Sequence, residues 1–307
     1  VPKDKEGERL DRFLTDALCQ RIPQSGPSRA LIQKHIEKGA ITVDGELPKR
    51  GARTLVTEGA RIVYTPPPPE IIDLVPEDIP LSVLYEDAHL LIVDKPRGLV
   101  VHPAAGHWTG TLANAILFHL QKEKTRDLRP GIVHRLDRDT TGAIVIAKNE
   151  AIHEALSAMF HARRVLKRYV AISVGVPKEK TATIETLYGR HPTDRKRFSS
   201  KVLKGKRAVT RYAVVEAFRS AALLDVTLET GRTHQIRVHL ADRGHPLVGD
   251  ETYGGKRART IDPLFDRPAL HAAELAFDHP ITGARIDAIA PIPSDLSALI
   301  DRLRRAP

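Results

Sequence analysis

The stretch Gly131-Ile-Val-His-Arg-Leu-Asp-Arg-Asp-Thr-Thr-Gly142, running directly into the apolar Ala143–Ala147, constrains this chain more than any other. The run 143–147 is short, partly β-branched and bounded by glycine, which predicts a buried strand. Just before it, His134, Arg135, Asp137, Arg138 and Asp139 fall within six residues. Holding a carboxylate beside a core strand is costly unless a cation or hydrogen bonds compensate it. Such a segment is either a salt-bridged turn or a place where chemistry is done, and the residues by themselves leave both open.

Several classes of function are set aside by what the chain lacks. One cysteine, Cys19, leaves no intramolecular disulfide and no cysteine-rich zinc site. Four of the fourteen histidines stand before proline (His102, His191, His245, His279), a loop arrangement, and His234 and His239 are five apart, sharing neither a helix face nor a strand face. No H-E-x-x-H, G-x-G-x-x-G or P-loop pattern occurs, so neither a metal nor a nucleotide cofactor is expected. No apolar run is long enough to cross a bilayer and the first residues carry no signal-peptide core, so a cytoplasmic protein with no membrane partner is expected.

A length of 307 residues admits two domains. Residues 8–20 carry an apolar stripe of helical period (Leu10, Phe13, Leu14, Ala17, Leu18). A second helix is expected from Ser28 as N-cap, with Leu31, Ile32, His35 and Ile36 on one face and Gly39 at its end. Ile41–Val43, a turn at Asp44-Gly45 and 60–64 read as short strands. Basic residues including Arg29, Lys34 and Arg53 crowd the polar face, and Pro66–Pro69 reads as a stiff linker. We therefore expect domains at 1–65 and 80–307 joined by 66–79.

In the second domain, 81–85 and 90–93 read as paired strands, 112–119 as a helix, and Asn149 as the cap of a helix through Phe160. Residues 167–174 alternate as a strand entered by Tyr169. Residues 190–207, with Lys196 and Arg197, read as an exposed basic loop or hairpin. Strands follow at 209–215 and 223–228, then a helix from His234 capped by Thr233, with Ile236 and Leu240 buried and Gly244 ending it. Strands near 275–277 and 284–288 and a helix at 294–305 close the chain. The net charge of +10, gathered in a few segments, points to a polyanionic partner.

The segment 134–142 resembles the HRLD-x-x-T-[ST]-G signature of the RluA-type pseudouridine synthases. Residues 80–103, 228–254 and 270–293 resemble further blocks of that family, closest to its branch acting on large-subunit ribosomal RNA. Residues 1–65 look like an S4 RNA-binding domain. The resemblance implies an α+β fold: a small S4-like unit of paired helices and a sheet, then a mixed, mostly antiparallel sheet domain. It also implies that Asp137 is the catalytic aspartate, that Arg237 pairs with it, and that Tyr169 contacts the target base. Arg135, His134 and Arg232 are expected on RNA near the extruded uridine, with Arg29, Lys34, Lys196 and Arg197 as further RNA contacts. The substrate implied is ribosomal RNA, free or within a ribosomal precursor particle, and the enzyme is expected to be a monomer.

That chemistry agrees with the residues. Uridine isomerisation is redox-neutral and needs an ionised carboxylate beside a cation, whether the carboxylate attacks the sugar or assists elimination; an opposite charge in hydrogen-bond range favours the ionised form. Extruding the base costs a few kcal/mol (roughly). Other readings are a synthase acting on tRNA, a non-catalytic RNA-binding or ribosome-assembly protein, and a glycoside or nucleoside hydrolase. The last needs a second carboxylate, and only Asp139 is near in sequence.

Overall fold

The computed structural model describes residues 1–21, 27, 29–67, 74–103, 108–122, 131–194 and 197–306, and divides into compact units at Val1–Asp73 and Leu74–Pro307.

The first unit packs helices α1 (Leu10–Arg21) and α2 (Arg29–Glu37) with strands β1 (Ile41–Val43) and β2 (Ile62–Tyr64), which pair antiparallel. Leu10, Leu14, Ile32, Ile36, Ile41 and Val56 form its core, as the helical stripe requires. Leu31, expected on the same face, is exposed. The cap expected at Ser28 lies outside the described residues. Asp44 and Gly45 both take positive φ (52° and 84°), the requirement of a tight two-residue turn. Asp11 is fully buried yet charged. Burial would raise its pKa, but hydrogen bonds from Arg9, Arg29 and Gln33 outweigh this and lower it.

The second unit is built on one eleven-stranded sheet. Its strands are β3 (Ser82–Glu86), β4 (Leu90–Lys95), β5 (Gly131–Ile132), β6 (Thr141–Ala147), β7 (Leu166–Val174), β8 (Thr181–Arg190), β9 (Phe198–Ser199), β10 (Lys206–Ala217), β11 (Ala221–Leu228), β12 (Leu270–Asp278) and β13 (Arg285–Ile289). The order is β3-β4-β6-β12-β7-β11-β10-β8-β9, with β13 beside β12 and β5 beside β6. Among the described residues, only β6–β12 of this sheet's strand pairs is parallel. This is the mixed, mostly antiparallel α+β architecture the resemblance implies.

Strands β4 and β6 are apolar on both faces because both faces are covered. Leu91, Val93, Ile144 and Ile146 meet α3 (Leu112–Lys122) through Leu112, Ile116 and Leu120. Leu90, Ile92 and Val145 meet α4 (Glu150–His161) through Ile152, Leu156 and Met159. Asn149 caps α4, its Oδ1 accepting from Ile152 N–H at 3.0 Å. The remaining helices are α5 (Gln235–Asp242), α6 (Glu251–Thr260) and α7 (Ser294–Arg305).

Strand β8 and helix α6 were not expected, nor was the short β5. Strand β8 alternates weakly, with only Ile184 and Tyr188 buried, and α6 contains Gly255 in a non-helical conformation. The start of α5 is also a correction. The cap position is His234, in the left-handed region (φ 59°) with no side-chain cap, and not Thr233. The ring of His234 is held by Tyr253, whose hydroxyl lies 2.9 Å from Nδ1.

Candidate active site

The site begins with an interruption in the sheet. One edge of β6 pairs throughout with β4; the other meets β12 only at Thr141–Gly142 and β5 only at Ile146–Ala147. Residues 133–140 run in a loop beside the gap. A strand N–H left without a partner there would be costly. His134 supplies the partner: Val145 N–H donates to its Nε2 at 3.0 Å, and the ring stacks on Phe160 at 4.8 Å. Burial, helped by the charge of Lys167, pushes its pKa down to about 3, so it is a neutral acceptor.

Two further residues shape the loop. At Gly142 (φ +115°) a Cβ would come within 2.2 Å of the Ala272 carbonyl oxygen, so the β6–β12 crossing admits only glycine. Lys95, fully buried, donates to the carbonyls of Pro96, Leu99 and Arg138 at 2.8–2.9 Å. Burial brings its pKa down to about 8. The loop closes in a turn, Thr140 N–H donating to Asp137 O at 3.1 Å.

This geometry brings Asp137 to Arg237, whose Nη1 donates to Asp137 Oδ2 at 3.2 Å. The rest of the guanidinium is gripped from behind. Nε and Nη2 donate to the two carboxylate oxygens of the buried Asp250 at 2.7 and 2.9 Å, the fork geometry Arg is suited to. Burial lowers the Arg237 pKa, but the two carboxylates outweigh this and raise it. The Asp137 side chain keeps 19% exposure, enough to meet a ligand. Helix α5 is itself fixed by buried polar contacts: Gln235 donates to Val209 O and Thr210 Oγ1, and His239 Nδ1 lies 2.9 Å from Thr210 Oγ1.

Asp137 faces a cavity of about 670 Å³. Tyr169, buried on β7, lines it, and burial followed by the charge of Asp137 pushes its phenol pKa up. His234 Nε2 stands 3.8 Å from Asp137 Oδ1; burial lowers its pKa against the pull of that carboxylate. Arg135 and Arg232, both exposed, line the same cavity. Arg135 pairs with neither Asp139 nor Glu229: Asp139 is bonded by Arg138, and Glu229 by Arg163, Arg207 and Arg211. Asp139 does not cap Thr140 or Thr141 by any side-chain bond among the described residues.

The other expected RNA contacts are placed differently. Arg197 lies with its guanidinium 5.2 Å over the Tyr253 ring and lines a second cavity, about 720 Å³, that also reaches Asp137. Lys196 lies outside the described residues. Arg29 and Lys34 are exposed on the first unit, Arg29 bonded to Asp11. The sequence reading missed Asp250, Tyr253, His234 and Lys95. Asp250 carried one signal: an Asp after glycine with Glu251 behind it is a helix N-cap pattern, and its Oδ1 accepts from Tyr253 N–H at 3.3 Å.

A carboxylate bound to a guanidinium on the wall of an open cavity, with a buried tyrosine on the same wall, is a site equipped to meet a polar ligand. Comparison with known proteins agrees. Residues 89–242 match the RNA pseudouridylate synthase family. An uncharacterised RNA pseudouridine synthase of Chlorobaculum parvum is 44% identical, covering 99% of this chain and 96% of its own length. Ribosomal large subunit pseudouridine synthase D of Pseudomonas aeruginosa is 42% identical, covering 99% and 95%. Among solved structures, human RNA pseudouridylate synthase domain containing 4 superposes with a TM-score of 0.58 at 25% identity, covering 73% of this chain and 93% of that one. With its sheet, its signature loop and relatives spanning nearly its whole length, the chain belongs to the RNA pseudouridine synthase family.

Proposed function

We propose that this enzyme isomerises uridines of large-subunit ribosomal RNA and that Asp137 is its catalytic aspartate. The observation that carries the reading is the Arg237–Asp137 bond at 3.2 Å on the wall of a cavity also lined by Tyr169. In the reaction the N1–C1′ bond of the uridine breaks, a C5–C1′ bond forms, C5 loses its proton and N1 gains one. Asp137 acts on the ribose side, and both nucleophilic attack and assisted elimination need it charged, which Arg237 favours. Tyr169 packs against the extruded uracil at C5.

Arg135 and Arg232 line the same cavity and hold the RNA around the extruded base, while the first unit, S4-like, binds structured RNA through its basic face. The Pseudomonas relative and one from Nitrosomonas europaea at 41% identity are both named for the large ribosomal subunit. The enzyme works as a cytoplasmic monomer on ribosomal RNA, free or in precursor particles. Incubating unmodified large-subunit RNA and bulk tRNA with the enzyme and mapping pseudouridine tests this. Discrete sites in the ribosomal RNA are expected; modification of tRNA alone would overturn the substrate assignment.

A further inference from the structure

Lys167 has no part in the chemistry described so far, yet it is 8% exposed and lines the cavity that holds Asp137. Among the described residues no carboxylate comes within ion-pairing distance of its ammonium. It lies over the Phe160 ring, 5.8 Å from Nζ to the centroid. Glu229 is the acid that acts on it through charge, but that carboxylate is already bonded by Arg163, Arg207 and Arg211 at 2.5, 2.6 and 3.3 Å. Burial, then the charge of Arg163, pushes the lysine pKa down. An ammonium at the end of a largely buried side chain, facing the cavity without a counter-charge, is costly to hold there, and an anion entering the cavity would offset that cost.

The strand identifies which anion. Lys167 and Tyr169 are two apart on β7, both buried, so they share a face at roughly 6–7 Å spacing. A uracil against Tyr169 has its own ribose and phosphate within that span. Arg135 and Arg232 are exposed and suit flanking phosphates; of the two largely buried cations on the cavity wall, Arg237 is taken up by Asp137 and Asp250, and Lys167 is left for an incoming anion.

We propose that Lys167 anchors a phosphate adjoining the extruded uridine, so that the base lies against Tyr169 and the sugar against Asp137. This rests on the reading of Asp137 and Tyr169 given above.

The test is single-turnover isomerisation of an RNA fragment carrying the mapped uridine, over a salt series. Lys167→Met is expected to raise the half-saturating concentration by about tenfold or more. It should also flatten the log–log salt slope by about one, the signature of one lost phosphate contact. Lys167→Arg should restore the slope. Wild-type enzyme should suffer the same loss on RNA with a neutral methylphosphonate at one of the two linkages flanking the uridine, and Lys167→Met should add nothing to it. An unchanged slope, or losses that add, would overturn the anchor. If Lys167→Met fails to fold, wild-type enzyme indifferent to both methylphosphonates overturns it alone. Failure of the wild type to turn over unmodified RNA would defeat the underlying reading as well, a separate and recognisable outcome.

Discussion

At the scale of single residues, the arrangement turns on one guanidinium shared between two acids. Asp250 takes the fork of Arg237 and leaves Nη1 for Asp137, so the cation is oriented before any substrate arrives. Removing it strands the buried Asp250 and frees Asp137. Arg237→Met should therefore destabilise the fold by about 3–5 kcal/mol, the usual cost of orphaning a buried charge, and slow turnover at least about a hundredfold at permissive temperature. Thermal melts and single-turnover rates check this; unaltered values for both would exclude the pairing. Asp137 and Arg237 are a hundred residues apart, and no periodicity joins them. Their pairing was legible only through the resemblance of two blocks to a family. Asp250 and Lys95 were invisible as functional residues because their work is done on other side chains and on carbonyls, contacts a linear pattern does not encode.

At the scale of elements, helix α5 shows why amphipathic reading stops short. Ile236 and Leu240 are buried as expected, but so are Gln235, Arg237 and His239. Polar residues in a helix are ordinarily assigned to solvent; here they satisfy β10 and the acids of the site. Strong signals were read well: the apolar β4 and β6, the Asn149 cap and the final helix. β8 was not, since a strand with two buried side chains in ten residues carries little pattern.

The buried imidazoles make a prediction about pH. Burial depresses His239 from 6.5 to about 4 and His134 to about 3. The unfolded chain binds these protons first, so the stabilisation is complete above pH 6.5 and is lost as pH falls through the folded values. Between pH 7 and 5 the stability to urea should drop, by up to about 2 kcal/mol per imidazole. The carboxylates with lowered pKa, such as Glu86 and Asp87, start from 4.5 and 3.8 and contribute below that window. A urea midpoint that is flat from pH 7 to 5 would contradict the buried, neutral state of both rings.

At the scale of the molecule, one long sheet frames the cavity that Asp137 faces, and the small first unit has its own core. The fold class was legible through the resemblance of several blocks to one family, with the strand and helix signals in agreement with it. The extra order was not: β12 arrives from late in the chain to lie parallel to β6, a crossing that depends on the bare backbone of Gly142. That crossing opens the gap in which the signature loop sits. On the proposed function, recognition of RNA would be spread over many cations and the isomerisation concentrated in one carboxylate, so the two should separate cleanly. Asp137→Asn in the full chain is the most direct measurement, with RNA affinity and tritium release from C5-labelled uridine read on the same preparation. We predict affinity within about threefold of wild type and no tritium release; release at the wild-type rate would contradict the assignment of Asp137.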